Sequence, residues 1–217
     1  MKLKESLLVI ALITSTGSAL ALEFESGRHE VHGGNNVVKL SGQVDAYDGA
    51  KVSGYDNSVI KLYDTSTGEA YGHCLVQANA RSKVKSMENS RVIAINSAEV
   101  DASGSSYIEA SDSSTVVAHG SCSVFASGSV KVRAYDNVRV VAQGHAKVEA
   151  YGNADVSADG DVEVIANNNV HVKSKGYSTV QAKDQTVVEA FDDSQVNHTK
   201  EVQVTKHDNA KVTKSAG

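Results

Sequence analysis

The sequence predicts an all-β, single-domain parallel β-helix, a solenoid of octad repeats, and three observations carry that expectation. First, Val or Ile returns every eighth residue from Val44 to Val212, with Gly68 as the single break and no insertion or deletion. A fixed period held this long means stacked like units and not a conventional globule. Second, small residues stand two places before and two places after the recurrent Val, as with Ser90 and Ala94 around Val92, and polar residues mostly fill the places between. That is a period of two, the mark of a strand with one buried face. Third, the fifth octad position, counted from the Val, is mostly Asp or Gly, as at Asp48, Gly72, Asp112 and Gly152. These residues tolerate left-handed backbone and bend a chain at little cost.

Taken in order, residues 1–21 read as a signal peptide. Lys2 and Lys4 form the charged start, Leu7 to Ile13 is an apolar run, and Ala19-Leu20-Ala21 resembles a cleavage site. The run is too short to span a bilayer, so no transmembrane span is expected. Residues 22–43 keep apolar content (Phe24, Val31, Val37, Leu40) but lose the octad, and are expected to be an N-terminal cap. Residues 44–217 are the solenoid. Its last coil is expected to fray, because His198, Lys206 and Lys214 replace the small inward residue there.

The number of strands per coil is read from the outward positions. The residue after each Val is usually polar, yet Ile93, Val117, Val141 and Ile165 interrupt this at intervals of 24, with Phe125 outside the series. Asp64, Glu88, Asp112, Asp136, Asp184 and Asp208 keep the same interval at the corner, broken by Gly160. This spacing predicts three strands and 24 residues per coil, and a rod of about seven coils, roughly 35 Å long at ~4.8 Å per coil.

Composition excludes some functions. Lys and Arg number 21 against 26 Asp and Glu, so the surface is mixed and no basic stripe for nucleic acid is expected. Cys74 and Cys122 share an octad position 48 residues apart, too far for a bridge, and are expected to be buried free thiols. The Asp series invites a glycosidase or a calcium site, but no inserted loop builds a cleft and the period is not that of calcium-binding nonapeptides. Turn chemistry is therefore the preferred role for these residues, and neither a catalytic residue nor a metal nor a cofactor is expected. His73, His119 and His145 lack a third ligand in register and read as solvated. Tyr47, Tyr55, Tyr63 and Tyr71 fall at one position of consecutive octads and are expected to pack around the corners.

What stands out is the outward series Ile93, Val117, Val141 and Ile165, flanked by charged residues that include Arg91 and Arg139. It is expected to form one dry strip with a charged rim, a contact face for self-association or for a surface or glycan partner. Units such as Val132 to Arg139 and Val148 to Asp155 resemble the octapeptide β-solenoid repeats of bacterial secreted and phage-like proteins. The resemblance implies architecture and no site residue. The functional expectation is an exported (secreted, periplasmic or extracellular), non-catalytic, adhesive or scaffolding rod, with a carbohydrate-active solenoid as the alternative.

Overall fold

Every octad builds one short strand and one corner. In the computed structural model, which describes residues 9–12, 21–24, 27–33, 37–40 and 42–215, successive strands go alternately to two parallel sheets. Sheet 1 includes Gln43–Tyr47, Val59–Leu62 and Arg91–Ala94; sheet 2 includes Lys51–Gly54, Thr67–Ala70 and Glu99–Ala102. Among the described residues each sheet holds 13 strands, and the chain is an all-β solenoid of about 11 turns.

The coil is shorter than the outward spacing predicts. Val92 pairs with Val76 and Ile108 in sheet 1, while Val116 pairs with Val100 in sheet 2. One turn is therefore two strands and 16 residues, not three strands and 24. At ~4.8 Å per turn, the 11 turns make a rod roughly 50 Å long.

The Val and Ala ladders face inward from both sheets and form a single core. Exceptions to the pattern compensate one another inside it. Leu62 stands where other octads have a small residue, and Gly68 stands where they have Val. A Cβ on Gly68 would come within 2.9 Å of Leu62 Cδ1, so the leucine occupies the room left by the missing valine. Gly54 likewise makes room for Ile60, whose Cδ1 lies 2.7 Å from where a Cβ would be.

The corners have a fixed chemistry. The fifth octad residue takes a left-handed backbone in both sheets, with φ of 60° at Asp112, 62° at Asp136 and 73° at Gly120. Gly satisfies this without strain, and Asp tolerates it while its carboxylate bonds the turn before. Asp136 Oδ2 accepts the peptide N–H of Gly120, one turn earlier, at 3.0 Å, and Asp112 and Asp184 do the same for Asn96 and Asn168 at 3.0 Å. Two places later a small hydroxyl or thiol donates back to the corner carbonyl: Ser114 to Ser111 at 2.7 Å, Cys122 to His119 at 3.1 Å. The buried hydroxyl or thiol is thereby satisfied at the edge of an otherwise apolar core.

The ends depart from the octad. In the segment read as a cap, His29 pairs with Val44 and Val38 with Val52, so the same two sheets continue through it with slightly shorter coils. Val9–Leu12 pairs with His29–His32, and Ala21–Phe24 with Val37–Leu40. The charged start and the Ala19-Leu20 part of the expected cleavage site lie outside the described residues. At the other end Lys206 and Lys214 are exposed, and Val212 is 37% exposed where Val116, at the same octad position, is fully buried. The last turn is open and polar.

Candidate functional site

In a two-sheet solenoid the residues just before and just after each core Val point outward, so each sheet displays two columns of side chains. The backbone at the Val itself forms the floor between them. What the columns carry differs between the sheets.

Between residues 43 and 214, sheet 1 displays Val59, Leu75, Ile93, Tyr107, Phe125, Val141 and Val187 in these columns, while sheet 2 displays Val117 and Ile165. Phe125 and Val141 are direct neighbours across adjacent strands, and a dimple of about 170 Å³ opens between Ile93 and Phe125. Arg91 and Arg139 are paired with carboxylates on the same face. Arg91 bonds Glu109 at 2.6 Å and lies over the Tyr107 ring at 5.5 Å; Arg139 reaches Asp155 at 3.8 Å.

Sheet 2 is a charged rail. Lys83 meets Glu99 at 2.8 Å, Lys147 meets Glu163 at 2.8 Å, and Arg133 meets Glu149 at 3.1 Å, each pair one turn apart. Because these side chains are long and the floor is Gly68, Val84 and Val100, the columns enclose a shallow trough of about 440 Å³. A second stretch of about 340 Å³ runs beside Lys147, Glu163 and Ile165.

The expected contact strip is therefore divided. Ile93 and Val141, with Arg91 and Arg139, lie on sheet 1, whereas Val117 and Ile165 lie on sheet 2. An interval of 24 is one and a half turns, so the series alternates between opposite sides and makes no continuous ladder. Phe125, set aside as an outlier in the sequence, belongs with Val141. The signal that could have found this lay at intervals of 16, in Lys83–Glu99, Arg133–Glu149 and Lys147–Glu163.

The same correction disperses the other clusters. Asp64 and Asp112 turn the corner after sheet 1, and Glu88, Asp136 and Asp184 the corner after sheet 2. His119 and His145 likewise sit at opposite corners, and His145 faces Asp161 at 3.4 Å. Among the described residues no group of three or more His, Cys, Asp or Glu is placed to hold a metal ion. The tyrosines stack in register along the edges. Tyr47 and Tyr63 lie 4.7 Å apart at one corner, Tyr55 and Tyr71 5.0 Å apart at the other. His119, Tyr135 and Tyr151 continue the second edge at 4.7 and 5.2 Å, beside a ladder of Asn137, Asn153 and Asn169 amides. Burial pushes the Cys122 thiol above its ordinary range, and both Cys74 and Cys122 are buried and free, three turns apart.

Compared with known proteins, the chain matches no family model, no curated protein and no solved structure. No helix of the described residues is long and apolar enough to cross a membrane.

Proposed function

We propose that this chain is an exported, non-catalytic structural rod of the kind found among bacterial secreted and phage-like octapeptide solenoids. It acts in adhesion or scaffolding through the outward face of sheet 1. The observation that carries this reading is the division of outward apolar side chains between residues 43 and 214, seven on sheet 1 against two on sheet 2. A face that mixes aliphatic and aromatic groups with paired charges has the composition of a contact surface. Export is supported by the charged start, apolar run and Ala19-Leu20-Ala21 of the first 21 residues.

A glycan-directed role has less to stand on. Sugar rings stack on aromatic faces, and here Tyr47 and Tyr63, Tyr55 and Tyr71, and Tyr135 and Tyr151 cover one another with interplanar angles of 4° to 11°, which leaves Tyr107 and Tyr177 as the exposed rings outside these pairs. The corner carboxylates of Asp112, Asp136 and Asp184 already accept peptide N–H groups. A glycan array run with a reducing-sugar assay tests the non-catalytic half, and N-terminal sequencing of the product tests export. We expect no turnover and a product that begins at Leu22. Polysaccharide turnover lost on Asp112→Asn or Asp136→Asn would overturn the first half; a product that keeps Met1 would overturn the second.

A further inference from the structure

We propose that the partner of sheet 1 is a second copy of this chain, packed face to face with its rod antiparallel, about a two-fold axis that runs along the Ser123–Ala126 strand. This pairing rests on sheet 1 being the contact face, and it deepens that reading by naming the occupant.

The order of residues along the face is what points to it. The Ser123–Ala126 strand is the middle one of the 11 that run from Gln43–Tyr47 to Gln203–Lys206. A two-fold axis along this strand brings together strands equally distant from it and keeps each outward column facing itself. Phe125 then meets Phe125 at the centre. Two strands out, Arg91 meets Asp155 of the second copy; four strands out, Val59 meets Val187 and Lys61 meets Glu189. One strand out, Tyr107 meets Arg139, and Glu109 lies diagonal to the same arginine. The Arg91–Glu109 and Arg139–Asp155 pairs within each copy thereby join into a four-charge cluster of alternating sign. No like charges oppose each other anywhere along the face. Such self-complementarity is what a closed two-fold interface requires.

Sheet 2 serves as the internal control. The same operation about its middle strand, Lys131–Ala134, sets Lys131 and Arg133 against themselves and Glu99 against Glu163. That face repels its own copy. Area is also sufficient on sheet 1. Roughly 50 Å of rod by about 13 Å of strand gives ~650 Å² per copy, near the lower end of stable protein interfaces.

Sedimentation equilibrium and site-directed cross-linking test the pairing in the full chain. We expect the wild type to be a closed dimer. Phe125→Lys should be a monomer with an unchanged circular dichroism spectrum and unfolding midpoint, since its side chain points outward and its neighbour Glu109 tolerates the charge. Phe125→Cys should be joined to its own copy by a short bis-maleimide, while Ile93→Cys, which faces Ser157, should not. The native thiols at Cys74 and Cys122 are buried and do not compete. A monomeric wild type, an open series of larger assemblies, or a dimer that survives Phe125→Lys would each overturn the proposal. Cross-linking of Ile93→Cys as readily as Phe125→Cys would overturn it too, because parallel rods set each strand against its own copy and bring the two Ile93 positions within reach of the linker. If Phe125→Lys does not fold, the two cysteine variants still decide. A monomer removes the pairing alone; the rod reading falls only to the turnover and processing experiments.

Discussion

On the inner side of sheet 1, Val92 stacks between Val76 and Ile108, with Ala94 beside Ala78 and Ala110. On the inner side of sheet 2, Val100 stacks between Val84 and Val116, with Ala102 beside Ser86 and Ala118. The two walls of the core are nearly interchangeable. Their outer sides are not: one carries Phe125 and Val141 among balanced charges, the other an alternation of Lys and Glu. A solenoid core constrains only the residues that fill it, so each outer face is free to take on a separate task.

The sharpest way to break the interchangeability of the walls is at a place where the core itself departs from it, Leu62 and Gly68. Leu62→Ala should cost about 2–5 kcal/mol by opening a cavity. Gly68→Val alone should cost about 1–3 kcal/mol by overpacking against Leu62. The double variant restores the ordinary octad on both walls, and its cost should fall well below the sum. Urea unfolding of the four proteins checks this, and strict additivity would separate the two positions.

The corners offer a second, smaller contrast. Asp136→Ala loses the bond to Gly120 N–H and places an ordinary side chain at φ 62°, for a cost of about 1–3 kcal/mol. Asp136→Gly loses the bond but not the backbone fit, and should cost less. Thermal or urea unfolding orders the two; equal costs would show that the bond alone matters.

The outer face of sheet 2 should respond least. Lys147→Ala removes the contact with Glu163 from a site where both side chains are about 60% exposed, and should cost no more than about 1 kcal/mol. The difference should shrink further in high salt. A larger effect, independent of salt, would mean that the rail supports the core.

Strand, corner and buried face were legible because each is local. The small-Val-small alternation is written within five residues, and the left-handed corner needs only Asp or Gly at one position. Leu62 and Gly68 were each visible as exceptions, but not as partners, because six residues of sequence do not reveal that two side chains meet across a core. The contact strip was misplaced for a related reason. Ile93, Val117, Val141 and Ile165 share an interval that is a multiple of eight, and so is the true turn; the core pattern cannot distinguish 16 from 24. Pairs that touch across turns could have done so, as Tyr135–Tyr151, Asn137–Asn153 and Lys147–Glu163 all stand 16 apart.

By itself the sequence determined that the chain is a parallel β-solenoid, where its strands and bends fall, and that its thiols are buried. All of these follow from the size and backbone preference of residues within one octad. Only the tertiary structure decided that two strands close a turn. Val, Ala and Ser are short enough for two sheets to pack directly on each other, with no third wall needed to fill the space between. That closure also decides which outward residues are neighbours. It sends alternate octads to opposite sides, separating Val117 from Val141 and bringing Phe125 and Val141 together on one face.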